Sequence, residues 1–196
     1  MGLGAAIRRW LGIGDTHGES VTIQEICYTP SSDSRVKDVR DMKRIDIISD
    51  THGRLSRSLL ASLEGADLII HAGDITSEAD WEMLQTIAPI RAVLGNNDTY
   101  YYKYEPALKR LNTFEYEGLT FAVSHYREDL PVGAIDVGVC GHTHRARIAE
   151  QGRCLVINPG SATSPRDSAT PTMARMYVAE GAVQSVKIIK LESAWE

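Results

Sequence analysis

Between residues 44 and 94 the chain alternates short apolar runs with amphipathic stretches, and no other feature narrows its fold as far. Arg44 to Asp50 reads as a strand around the apolar run Ile45-Asp46-Ile47-Ile48. Leu55 to Glu64 reads as a helix, with Leu55, Leu59 and Leu63 along one face and Gly65 as its stop. Ala66 to His71 is a second strand run. Ser77 to Ala88 is a second helix, with Ser77 and Asp80 as its capping signal and Ala79, Met83, Leu84 and Ile87 toward the core. Pro89 ends that helix, and Ile90 to Leu94 is a third strand. This strand–helix order implies a largely parallel sheet.

The second half reads mostly as strands. Thr113 to Tyr116 and Leu119 to Ser124 flank Glu117-Gly118, a hairpin signal. Ile135 to Cys140 and Cys154 to Ile157 are short strands. Thr172 to Ala179 and Val183 to Leu191 flank a second hairpin signal, Glu180-Gly181. The expected fold is α/β, with two packed mixed sheets flanked by helices. Residues 1–41 differ: they are rich in Gly, Ser, Thr and charge, without a sustained apolar period. They read as an N-terminal extension, disordered or upstream of the true start, before a domain at 42–196.

Composition narrows the partners. The length of 196 residues suits one domain. No apolar run approaches the ~18 residues of a membrane helix, and the first ten residues lack a signal-peptide apolar region. Three cysteines without CxxC spacing fit reduced thiols in the cytoplasm. A formal net charge of −5 disfavours strong nucleic-acid binding. It leaves room for a small phosphorylated substrate, because metals can supply local positive charge.

The polar residues collect where strands end. Five motifs follow in order: Asp50-Thr51-His52-Gly53, Gly73-Asp74, Gly95-Asn96-Asn97-Asp98, Ser124-His125, and Gly141-His142-Thr143-His144. Strand carboxyl ends of a parallel sheet open onto one crevice, so these residues can meet. Imidazoles and carboxylates suit zinc, manganese, iron, nickel or cobalt. In D-x-H leaving a strand, residues i and i+2 are expected to point to the same side. Taken singly each motif is more often a turn; the ordered set of five reads as a metal site.

The series D-x-H, GD, GN-x-D, H and GH-x-H resembles the calcineurin-like metallophosphoesterase superfamily. ISDTHG, GNND, GHTH and NPGS look most like its small bacterial and archaeal phosphodiesterases. The resemblance spans nearly all of residues 42–196 and implies a four-layer sandwich. It implies one metal held by Asp50, His52 and His144, a second held by Asn96, His125 and His142, and Asp74 bridging them. Asp74, Asn96 and His125 would also act in catalysis, through metal and phosphate positioning. The implied reaction is hydrolysis of a small phosphodiester or nucleotide-like substrate by in-line attack of metal-bound hydroxide, with manganese the leading ion. Two departures stand out: Asn97 occupies a position where many members carry a leaving-group histidine, and Tyr126 follows His125 where glycine is common.

Other residues carry weaker signals. Asp98 could stand behind a ligand and orient its imidazole, or simply close a turn. His71 reads as a strand-end residue, not a ligand. Asn158-Pro159-Gly160-Ser161 would support the site, and Arg166 could attract an anion. Tyr100, Tyr101, Tyr102 and Tyr104 read as packing or a subunit contact, which leaves a homo-oligomer open. Gly14-Asp15-Thr16-His17-Gly18 echoes residues 49–53 but lacks a matching partner motif. Competing functions are a scaffold on the same fold, a nuclease and a phosphomonoesterase.

Overall fold

The computed structural model describes residues 27–28, 42–98, 108–166 and 170–192. The first sheet contains β1 (Cys27–Tyr28), β2 (Lys43–Ile48), β3 (Leu68–His71), β4 (Ile90–Ala92), β10 (Thr172–Ala179) and β11 (Ala182–Lys190). Its order is β1-β11-β10-β2-β3-β4. β2, β3 and β4 run parallel, joined by helices α1 (Arg57–Leu63) and α2 (Glu78–Ile87), while β10, β11 and β1 pair antiparallel. The second sheet contains β5 (Leu111–Tyr116), β6 (Leu119–Ser124), β7 (Val137–Val139), β8 (Ala146–Gln151) and β9 (Cys154–Pro159), in the order β5-β6-β7-β9-β8. β6, β7 and β9 are parallel, and the edge strands β5 and β8 are antiparallel to their neighbours.

Strand alternation sorts the side chains into layers. Ile45, Ile47, Ile70, Ala174 and Met176 face Phe121, Val123, Val137, Val139 and Ile157 between the sheets. On the outer face of the first sheet, Ile48, Ile69 and Met173 meet Leu59 and Leu63 of α1 and Leu84 of α2. Both α-helices among the described residues therefore lie on that sheet. A 3₁₀ turn at Arg127–Asp129 and the loop after it cover the second sheet, where Leu130 and Ile135 pack on Ala122, Cys154 and Val156. Asp46 is fully buried on the helix side, where Arg44 and Arg175 both donate to its carboxylate. Two guanidinium groups compensate the cost of burying that charge.

Local signals fix the boundaries. α1 begins at Arg57, later than Leu55, because the Ser56 hydroxyl caps it by accepting the Leu59 N–H at 3.1 Å. Ser77 caps α2 in the same way through Asp80. α2 turns Leu84 and Ile87 toward the core as expected but differs at two positions. Trp81 and Leu84 are its buried residues, while Ala79 is exposed and Met83 is 48% exposed. Trp81 packs with Ile75 and Ala92, and burying the largest ring sets the rotation. Both expected hairpins form, with positive φ at Glu117 and Gly118 and at Glu180 and Gly181, as a type I′ turn requires. β8 was not expected; as a half-buried edge strand it sends only Ala146 and Ile148 against the core. β1 lies within the stretch read as an extension and pairs with β11, Cys27 opposite Lys187. No helix among the described residues is long and apolar enough to cross a membrane.

Candidate metal centre

The loops after β2, β3, β4, β6 and β7 converge and carry all seven expected ligands. β2 ends at Ile48, so Asp50 and His52 do not point together by strand alternation, as the sequence suggested. They sit instead on a loop in the left-handed region, at φ 53° and 48°. Asp74 (59°), His142 (66°) and His144 (58°) share that conformation. It costs roughly 1–2 kcal/mol per non-glycine residue, and a firm surround must hold it. Asp50 N–H donates to the Gly73 carbonyl and His52 N–H to the Asp74 carbonyl, both at 3.0 Å. Ser161 Oγ donates to the Asp50 carbonyl at 2.8 Å, and Thr163 Oγ1 contacts the Asp50 and Thr51 carbonyls at 3.1 and 3.2 Å. Two glycines allow close approaches: a Cβ at Gly95 would lie 2.1 Å from Asp74 Oδ1, and one at Gly141 would lie 1.9 Å from Ser49 Oγ.

One group of potential ligands is Asp50, His52 and His144, whose ligand atoms lie within 4.8 Å of one another. His144 Nδ1 donates to the Ser164 carbonyl at 2.6 Å, which aims Nε2 inward. That Nε2 is 3.3 Å from Asp50 Oδ1 and 3.3 Å from His52 Nε2. Burial pushes the Asp50 carboxyl up, but His144 and the Ser49 hydroxyl outweigh it and hold it below its ordinary range. The Asp50 pairing in turn raises His144, against its own burial.

A second group joins Asp50, Asp74 and His125 within the same limit. His125 Nδ1 donates to the Ala72 carbonyl at 2.7 Å, so its Nε2 also faces inward. That Nε2 is 3.5 Å from Asp74 Oδ2 and 3.0 Å from Asn96 Oδ1. His142 Nδ1 approaches the same Asn96 oxygen at 3.0 Å. Asp50 is common to both groups, and Asp74 Oδ2 of the second lies 3.9 Å from His52 Nε2 of the first.

These residues fit divalent cations, and the hydrogen-bond accounting shows why. A backbone carbonyl can only accept, so His125 and His144 spend their Nδ1 protons on Ala72 and Ser164. With Nδ1 committed, each Nε2 faces carboxylate or amide oxygens that can only accept, so a proton or a cation must stand between them. Asp50 Oδ1 is buried and has no hydrogen-bond partner. Converging lone pairs of this kind call for positive charge, and nitrogen with oxygen donors suits transition ions.

The supporting residues are equally definite. The Asp98 carboxylate accepts the N–H groups of Asp74, Thr76 and Gly95 at 2.8, 2.8 and 2.9 Å, tying the β3 and β4 loops together. His71 is buried; its Nδ1 accepts the Gly73 N–H, leaving Nε2–H to donate to Thr51 Oγ1 at 3.0 Å. Burial lowers its pKa to about 4, so it is neutral in the folded protein. Asn158 donates to the Gly141 carbonyl and accepts the Gly160 N–H, bracing the His142 loop. Arg166 is exposed and donates its backbone N–H to the His144 carbonyl. Sequence reasoning passed over two residues. Tyr126 packs its ring 4.5 Å from that of His142, and Asn97 bonds to both Asp74 oxygens. Each had drawn notice only as a departure from a motif. Tyr100 to Tyr104 and the 14–18 echo lie outside the described residues.

Comparison with known proteins agrees with this geometry. Residues 42–181 match the family model of the calcineurin-like phosphoesterase superfamily domain. A probable metallophosphoesterase of Methanothermobacter thermautotrophicus is 36% identical over 139 residues, covering 62% of this chain and 78% of that protein. Among solved structures, an archaeal phosphodiesterase superposes with a TM-score of 0.63 at 27% identity, over 76% of this chain and 99% of its own. Vacuolar Protein Sorting 29 from Cryptosporidium parvum shares the fold, with a TM-score of 0.62 at 19% identity over 76% and 97% of the two chains. With two packed mixed sheets and candidate metal-ligand loops at their strand ends, the chain belongs to the calcineurin-like phosphoesterase superfamily.

Proposed function

We propose that this protein is a dinuclear-metal phosphodiesterase acting on a small phosphodiester. Asp50, His52 and His144 would hold one ion; Asn96, His125 and His142 would hold the other; Asp74 would be shared. The observation that carries this reading is the convergence of inward-facing Nε2 atoms on Asp50, Asp74 and Asn96 oxygens. Divalent ions bound there would supply an activated water for in-line attack on phosphorus and positive charge for the phosphoryl oxygens. Manganese leads the candidates, with nickel, zinc, iron and cobalt compatible with the donors. The likeness to an archaeal phosphodiesterase supports a diester substrate.

The chain's own groups position these elements. The carbonyls of Ala72 and Ser164 fix the two rings, Asp98 fixes the Asp74 loop, and Ser161 with Thr163 fixes Asp50. No cysteine nucleophile is needed, and the Cys140 thiol, its pKa pushed up to about 11 by burial, is poorly suited to be one. Asn97 cannot donate a proton to the leaving group as an acid, which favours diesters of acidic alcohols. The same reading puts the protein in the cytoplasm, with residues 42–196 as the catalytic domain. A scaffold role is the second reading, favoured by the fold shared with Vacuolar Protein Sorting 29.

The test is hydrolysis of a bis-aryl phosphodiester and its matching monoester by metal-stripped protein, with manganese, nickel, zinc or no metal added. Diester turnover should return with metal. It should fall at least about a hundredfold in Asp74→Asn, the upper end of what supporting residues cost. No turnover with any metal, despite two bound ions per chain, would favour the scaffold.

A further inference from the structure

One residue holds both oxygens of Asp74. The Asn97 backbone N–H donates to Oδ1 at 2.8 Å, and Asn97 Nδ2 donates to Oδ2 at 2.6 Å. The two oxygens are not equivalent. Oδ2 faces both ligand groups, 3.9 Å from His52 Nε2 and 3.5 Å from His125 Nε2. An ionised carboxylate oxygen offers about two lone-pair positions. One amide N–H and one cation fill them both. A carboxylate oxygen shared between two cations has no place left for the amide. The backbone contact at Oδ1 does not compete, because it engages the other oxygen. Asn97 is exposed, so its side chain can turn away without opening the core.

We propose that the Asn97 carboxamide is a latch on Asp74. It positions Oδ2 in the metal-free protein and must release it before the second divalent ion can bind. This rests on the two-ion reading above. It makes Asn97 a positioning residue whose effect falls on metal loading. The first ion binds with the latch in place. The second binds more weakly, because a hydrogen bond to a charged acceptor must break first. Metal occupancy is then stepwise, and the identity of residue 97 sets the gap between the steps.

The experiment titrates zinc into metal-stripped full-length protein and into Asn97→Ala, following heat and the side-chain amide resonance of Asn97 in the wild type. The first association constant should agree between the two proteins within about twofold. The second should be about tenfold tighter, or more, in Asn97→Ala, the equivalent of one such hydrogen bond. Asn97→Ser, which also lacks the carboxamide, must reproduce the shift. The wild-type amide resonance should move during the second equivalent. Two ions binding with an unchanged second constant would overturn the latch, as would an amide resonance that finishes moving in the first equivalent. One ion per chain in every protein would remove the two-ion reading itself and the latch with it.

Discussion

Asp98→Asn is the sharpest probe of how the centre is built. The substitution keeps the side chain's shape, removes its charge and turns one oxygen into an NH₂ group. Asp98 is 7% exposed, and water cannot readily replace what is lost. The best orientation keeps the amide oxygen at Oδ2, facing the Asp74 and Gly95 N–H groups, and sets the NH₂ against the Thr76 N–H. Two hydrogen bonds then weaken from charge-assisted to neutral, at about 1 kcal/mol each. The Thr76 N–H loses its acceptor, at about 1–3 kcal/mol. The sum is about 4 kcal/mol. Urea unfolding of the metal-free protein at pH 7, read by circular dichroism and tryptophan fluorescence, should show that loss as a lower midpoint at unchanged slope. A loss below about 1 kcal/mol would refute the claim that this carboxylate ties the β3 and β4 loops together.

Two further outcomes follow from buried titratable groups. His71 has a folded pKa of about 4 against 6.5 when free, so the unfolded chain takes up its proton first as pH falls. Its contribution is complete above pH 6.5 and is lost as pH falls toward 4, by about 3 kcal/mol; unfolding free energies of His71→Gln should be flatter over that window, and an identical pH slope would contradict the assignment. The Cys140 thiol, raised to about 11 and buried, should resist iodoacetamide at pH 8 until the protein is unfolded, as mass spectrometry of modified peptides would register.

Much of the fold was legible because the apolar periods are clear. Ile45, Ile47, Ile69 and Ile70 mark parallel strands buried on both faces, and Glu-Gly pairs at 117–118 and 180–181 mark hairpins whose φ values they suit. β8 was hidden because an edge strand with Arg147, Glu150 and Gln151 shows little apolar alternation. Trp81 was missed on α2 because a ten-residue helix gives few repeats, and one tryptophan outweighs Ala79 and Met83. At the site, residue types and order pointed to seven side chains, five of which the loops gather into two candidate ligand groups. The means of assembly was not legible: left-handed φ at five of those seven, Asp98 bonded to three amides, and Asn97 bonded to Asp74 depend on contacts distant in sequence.

The central claim is that Asp74 stands between two metal ions. Anomalous diffraction from crystals grown with manganese, recorded on both sides of its absorption edge, tests this directly. The account predicts two peaks, one beside Asp50, His52 and His144 and one beside Asn96, His125 and His142, with Asp74 between them. A single peak, or two peaks without Asp74 as a shared ligand, would contradict it.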